Sequence, residues 1–212
     1  MALFYFVEIM VHNFCHSEKH HFILSVKEKM ETPESGKILV AEPFMEDPYF
    51  KGSVILLCEC KNEGAFGLIL NKPTEMKVHE VVDEFPSGEN VIYYGGPVQP
   101  NTLHYLHRRG DLIPDSTEVG EGIFWGGDFE KLIFLLDTKQ ITVDEIRFFF
   151  GYSGWDEGQL MKEIKENSWF IGNGTPEYLF EEEPKDLWRT VLRNMGDRFK
   201  IIANFPENPS YN

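Results

Sequence analysis

Residues 53–70 read Ser53-Val54-Ile55-Leu56-Leu57-Cys58-Glu59-Cys60-Lys61-Asn62-Glu63-Gly64-Ala65-Phe66-Gly67-Leu68-Ile69-Leu70. Two short apolar runs flank the polar turn Lys61-Asn62-Glu63-Gly64, the pattern of an antiparallel hairpin. Asn71-Lys72-Pro73 closes it, because proline cannot donate to a strand ladder. A chain that opens on a hairpin and intersperses helices later is not a regular βαβ alternation. The expectation is an α+β fold with a mostly antiparallel or mixed sheet, flanked by several helices.

Working outward, Lys37 to Ala41 reads as a strand, followed by a loop bracketed by Pro43 and Pro48. Val78, Val81, Val82 and Phe85 stand at helical spacing and predict a short helix. Val91–Tyr94, broken by Gly95-Gly96-Pro97, reads as a strand, as do Leu103–His107 and the segment 120–125. Asp128 predicts an N-cap for a helix running to Thr138, with Phe129, Leu132, Ile133 and Leu136 on one face. Ile146–Phe150 reads as a strand, Gly151-Tyr152-Ser153-Gly154 as a turn, and Trp155–Glu166 as a helix. Trp169–Ile171 predicts a strand and Asp186–Asn194 a last helix. One domain is expected over 31–205, with a loose tail at 206–212.

The chain carries 35 Asp plus Glu against 20 Lys plus Arg, a net charge of −15. At 42% hydrophobic residues it is too apolar to be intrinsically disordered. That charge opposes direct binding to nucleic acid, which begins with phosphate neutralisation, and docking on anionic membranes. Residues 1–30 hold three lysines and three glutamates, so the acidity belongs wholly to residues 31–212. The apolar run Ala2–Val7 is too short for a signal peptide or a membrane span. Residues 1–30 read as a neutral, histidine-rich leader, disordered or a start-site artefact with Met30 as initiator. A second reading stacks His12, His16 and His20 on one helical face near Cys15 as metal ligands. Cys58 and Cys60, two apart on a strand, are expected on one face as small core residues. No C-x-x-C occurs, and a reducing cytoplasm is inferred.

Catalytic fingerprints are sparse. Neither phosphate-binding glycine pattern is complete, and Gly172-Asn173-Gly174 fails at its third glycine. Gly151-Tyr152-Ser153-Gly154 invites comparison with a nucleophile elbow, but Trp155 stands where the second glycine is needed. Ser153 is instead expected to cap a helix, with Asp156 three residues on. His104 and His107 fall on opposite strand faces and cannot chelate one metal together. Glu181-Glu182-Glu183 reads as a solvated acidic turn. Arg108-Arg109 is too little for a nucleic-acid surface. No cofactor and no metal are expected.

Several blocks occur together in one order: Gly36-Lys37-Ile38-Leu39-Val40-Ala41-Glu42-Pro43, Asp47-Pro48-Tyr49-Phe50, Gly64 to Pro73, Gly95-Gly96-Pro97-Val98, Leu106-His107, and Gly151 to Leu160. Trp169 and the Leu179-Phe180 to Trp188 stretch close the series. The chain over 36–192 resembles the AlgH/YqgE family of bacterial proteins. The resemblance implies an α+β fold with the sheet curled toward a barrel, and a cytosolic protein. It implies no activity, since the family's transcriptional-regulator label is a genetic one. The chain departs from the pattern at Asp156-Glu157 and in the segment before Gly36.

Asn71, Lys72, Gly96, His107, Ser153 and Gln159 sit at strand ends and turns, where binding residues gather, and form the candidate pocket. The leading expectation is a non-catalytic protein acting through a protein partner or small ligand, with a regulatory outcome. The alternative is an enzyme with a polar pocket near His107 and Ser153. A DNA-binding regulator is disfavoured by charge. Oligomeric state is not legible.

Overall fold

A computed structural model describes residues 32–86, 90–181 and 183–204. The expectations for residues 1–30 and for the tail 206–212 lie outside these. Ten strands are described: β1 (Lys37–Ala41), β2 (Val54–Lys61), β3 (Gly64–Ile69), β4 (Pro73–Lys77), β5 (Val91–Tyr94), β6 (Val98–His107), β7 (Thr117–Gly120), β8 (Ile123–Trp125), β9 (Ile146–Asp156) and β10 (Trp169–Asn173). Five helices join them: α1 (Phe129–Asp137), α2 (Gln159–Lys165), α3 (Pro176–Phe180), α4 (Pro184–Asn194) and α5 (Asp197–Ile202).

The strands form one sheet in the order β10-β1-β2-β3-β9-β6-β8-β7, with β5 on β9 and β4 on β5. Every pairing is antiparallel except β5 with β9. The sheet curls into a half-barrel, and the fold is α+β as its hairpins required.

Side-chain alternation divides the core. Ile38, Val40, Leu56, Leu68, Tyr93, Leu106, Phe149 and Phe170 face the interior, where Leu179, Leu187, Trp188, Val191 and Ile202 of the last helices fill it. Trp188 donates its indole N–H to the Ala41 carbonyl at 2.9 Å, anchoring α4. The opposite face of β5, β6 and β9 packs Ile92, Tyr105 and Phe148 under Leu132, Ile133, Leu135 and Leu136 of α1. Asp128 caps that helix, accepting from the Lys131 amide at 2.9 Å. Leu160 and Ile164 of α2 cover the outer face of β1, β2 and β3 with Trp155 and Trp169.

Several local expectations are corrected. Residues Gly151 to Gly154 are not a turn: β9 runs through them, kinked at Gly151 where φ is +65°. Trp155 therefore belongs to the strand, and α2 starts at Gln159 after Gly158 in the left-handed region. Ser153 caps no helix. The predicted helix at 78–85 is a single 3-10 turn, Val78–Glu80, although Val78, Val82 and Phe85 are buried. The predicted strand at 120–125 is the hairpin of β7 and β8. Cys58 and Cys60 do not share a face. A bulge between Leu57 and Glu59 absorbs Cys58, which turns to the interior while Cys60 packs with the outer cluster.

One connection controls the topology. Phe148, Phe149 and Phe150 pair with β5 and also with β6, so these two strands lie on opposite edges of β9. Their link is Gly95-Gly96-Pro97, and it passes the β9 backbone at the Gly151 kink. A Cβ on Gly95 would overlap the Gly151 carbonyl oxygen, and one on Gly96 would overlap the Tyr152 carbonyl. The Gly95 amide donates to the Phe150 carbonyl at 2.8 Å. The Gly95 carbonyl accepts from the Ile69 amide at 3.0 Å and from Ser153 Oγ at 3.1 Å.

Gly95 has ordinary φ, so Gly95→Ala isolates this steric overlap; urea denaturation is expected to show a loss of about 3 kcal/mol or more. Gly158→Ala, with nothing within 4 Å of its Cβ but φ at +72°, is expected to lose only about 1–2 kcal/mol.

Candidate functional site

Four of the six candidate residues gather around the crossing. Asn71 follows β3, and its side chain ties that strand end to the loop before β2. Its Oδ1 accepts from the Val54 amide at 2.9 Å and its Nδ2 donates to the Gly52 carbonyl at 2.9 Å. Lys72 extends the same link, with Nζ donating to the Tyr49 carbonyl at 2.7 Å. Burial pushes the Lys72 amine below its ordinary pKa, with Asp47 opposing. The Lys72 carbonyl accepts from the Tyr94 amide at 2.8 Å, which leads directly to Gly95 and Gly96. Ser153, fully buried, closes the group through its bond to Gly95. Tyr94 stacks on Tyr49 at 6.4 Å between centroids, and its buried hydroxyl has no partner among the described residues.

His107 lies elsewhere, on the α1 side of the sheet. It is fully buried. The Arg109 amide donates to Nδ1 at 3.1 Å, which makes Nδ1 the unprotonated nitrogen. Nε2 therefore carries the proton and donates to the Gly126 carbonyl at 3.0 Å. Both ring nitrogens are held by main chain, and the ring stacks on Phe124 at 5.8 Å. Burial holds the imidazole below its ordinary pKa, against the Gly126 bond and Asp111.

Gln159 joins a third group. Its Oε1 accepts from the Asp156 amide at 3.0 Å and its Nε2 donates to Glu163 at 2.9 Å. Glu163 also accepts from the indoles of Trp155 at 2.9 Å and Trp169 at 2.8 Å. One carboxylate thus fixes α2 to two strands. This shared acceptor has no signature in sequence.

Two polar residues stand on the interior face: His104, opposite His107 as strand alternation predicts, and Arg147, which nothing in the sequence marks. His104 pairs with Phe149 and stands among Phe66, Trp125 and Tyr152 at 5.5, 6.2 and 5.8 Å. Its buried Nε2 has no partner among the described residues, and burial lowers its pKa. Arg147 pairs with Leu106, lies over the Tyr93 ring at 4.4 Å and donates from NH1 to the Leu70 carbonyl at 3.3 Å. The adjacent arginines are differently placed: Arg108 pairs with Glu181 at 2.8 Å, and Arg109 with Asp111 at 3.0 Å and Glu145 at 3.3 Å. Their charge is answered within the chain. Among the described residues no group of three or more His, Cys, Asp or Glu is arranged to hold a metal. Burial raises both the Cys58 and the Cys60 thiol pKa, which disfavours thiolate chemistry.

A family model described as AlgH-like matches residues 38–200. A UPF0301 protein of Chlorobaculum parvum is 42% identical over 184 residues, 87% of this chain and 98% of that one. One of Cytophaga hutchinsonii is 40% identical over 178 residues, 84% and 98% of the two chains. The solution structure of the AlgH protein from Pseudomonas aeruginosa matches with a TM-score of 0.66 at 26% identity, covering 84% of this chain and 98% of that one. A crystal structure of a Corynebacterium diphtheriae protein shares the fold, with a TM-score of 0.71 at 24% identity and coverage of 84% and 95%.

His107→Ala leaves the Gly126 carbonyl and Arg109 amide without partners inside a cavity, and is expected to cost about 3 kcal/mol by thermal or urea unfolding. The pH dependence has a definite sign. His104 and His107 have folded pKa values below the unfolded value of about 6.5, so the unfolded chain takes up protons first. Their stability contribution is present above that pH and is lost as pH falls toward the folded values. The thermal midpoint is therefore expected to drop from pH 7.5 to 5.5, and less so in a His104→Phe variant. A midpoint independent of pH over that window overturns the assignment.

Proposed function

The chain belongs to the AlgH-like family, and from that membership and the geometry above we propose that it works by binding rather than by catalysis. The observation that carries this reading is the state of His107. A general base needs one ring nitrogen free for substrate. Here both nitrogens are engaged by main chain inside a fully buried site. Ser153 is likewise committed to the Gly95 carbonyl and lies on a different part of β9 from the residues beside His107. The two groups with the best catalytic credentials therefore act as struts.

The binding event is with a small ligand or a protein partner, and its outcome is regulatory. Direct contact with DNA is disfavoured by the net charge of −15 and by the pairing of Arg108 and Arg109 with carboxylates. A cytoplasmic setting is supported by the free thiols of Cys58 and Cys60. No helix among the described residues is long and apolar enough to cross a membrane.

Complementation of a deletion strain separates the readings. His107→Gln keeps one donor and one acceptor for the two main-chain partners. It is expected to restore the phenotype in proportion to its thermal stability. A variant as stable as the parent that fails to complement would restore the enzymatic reading. Gel-shift binding that persists at about 200 mM salt would restore the DNA reading.

A further inference from the structure

We propose that Arg147 anchors a binding site for a small-molecule oxyanion, a carboxylate or a phosphate group, at the margin of the half-barrel interior. The proposal deepens the binding reading above and rests on it.

Arg147 lies on β9 beside its cross-strand partner Leu106, on the same face as Phe149 and Tyr93. That face is the interior of the half-barrel, yet Arg147 is only half-buried. A guanidinium has five N–H donors in a planar fork. One nitrogen, NH1, serves the Leu70 carbonyl, and the Tyr93 ring covers one side of the plane. The edge formed by Nε and NH2 meets no acceptor among the described residues. Nor is it sealed in: Arg108 Nε is buried without a partner, and no nitrogen of Arg147 is. That open edge is the one that takes a carboxylate or phosphate in two parallel hydrogen bonds.

The missing countercharge is informative in this chain. Acidic residues outnumber basic ones 35 to 20, and Arg108 and Arg109 nearby each hold a carboxylate. No carboxylate of the described residues forms an ion pair with Arg147. A desolvated cation without a countercharge is costly, and burial does hold this guanidinium below its ordinary pKa. A bound oxyanion supplies the countercharge and engages the two unused nitrogens, Nε and NH2. The surrounding negative charge discourages polyanions, which fits a small anion better than a nucleic acid.

The test tracks the Arg147 side-chain Nε–H signal by NMR in the full-length protein. Inorganic phosphate and sodium acetate are titrated at constant ionic strength, with chloride as the control. Two charged hydrogen bonds predict saturable shifts with a Kd of about 1 mM. Phosphate acting at lower concentration than acetate assigns a phosphate ester, and the reverse order assigns a carboxylate; either supports the site. Arg147→Lys keeps the charge but loses the fork, and is expected to raise about tenfold the Kd read from the anion-dependent rise in thermal midpoint. Arg147→Gln is expected to abolish it; should that variant not fold, the parent and the lysine variant carry the test. An Nε–H signal that moves no further than the chloride control up to about 10 mM overturns the proposal. A cell-derived ligand that binds while the Arg147 signal stays fixed overturns this site alone and leaves the binding reading standing.

Discussion

β5 and β6 flank the same strand, and two of the three residues that join them, Gly95 and Gly96, pass its backbone with no room for a methyl group. Most of the architecture derives from that passage. It places the parallel β5 on one edge of β9 and the antiparallel β6 on the other, so β9 becomes the member common to both halves of the sheet. It also brings Ile69, Phe150 and Ser153 into one hydrogen-bonded knot around Gly95. Interior and outer faces are assigned from there, because alternation along β9 sends Phe149 and Arg147 inward and Phe148 outward. A left-handed glycine at the kink is the backbone conformation that permits so close a passage.

What is legible in the residues, and what is not, divides along the same line. The β2–β3 hairpin, the α1 helix with its Asp128 cap and the α+β class are local or pattern-based, and the chain carries them openly. The crossing is non-local. Gly95-Gly96 and Gly151 are 55 residues apart, and each alone looks like a turn; only their contact shows that Gly151 belongs to a strand. Ser153 looks like a helix cap for the same reason, its partner being Gly95 rather than its own neighbours. The bulge at Cys58 inverts a two-residue periodicity that strand alternation alone could not have placed on opposite faces. For the candidate residues, the structure brings Asn71, Lys72, Gly96 and Ser153 into one neighbourhood, although Ser153 lies within β9 and not at the turn its sequence position suggests. Sequence position gives no hint that His107 is held on both nitrogens, nor that an arginine between apolar residues at 146–149 faces inward.

Charge is organised more finely than the net −15 conveys. Glu163 serves three donors at once, and Glu145 and Asp111 share Arg109. Several acids are thus committed to positioning rather than to solubility. Against that background Arg147, served by an aromatic ring and one carbonyl, stands out as a cation whose surroundings were left incomplete by the chain itself.

The shared position of β9 also has a consequence for how the protein is made. Its partners β3, β5 and β6 leave the ribosome some forty to ninety residues before β9 does. Until then β3, β5 and β6 lack the strand with which they pair in the finished sheet. β9 must therefore take its place between strands synthesised before it. Such late, long-range insertion is slow relative to hairpin formation and exposes unpaired edges while it waits. The hairpin that announces the fold can form early, but the sheet is committed only when the end of β9 arrives.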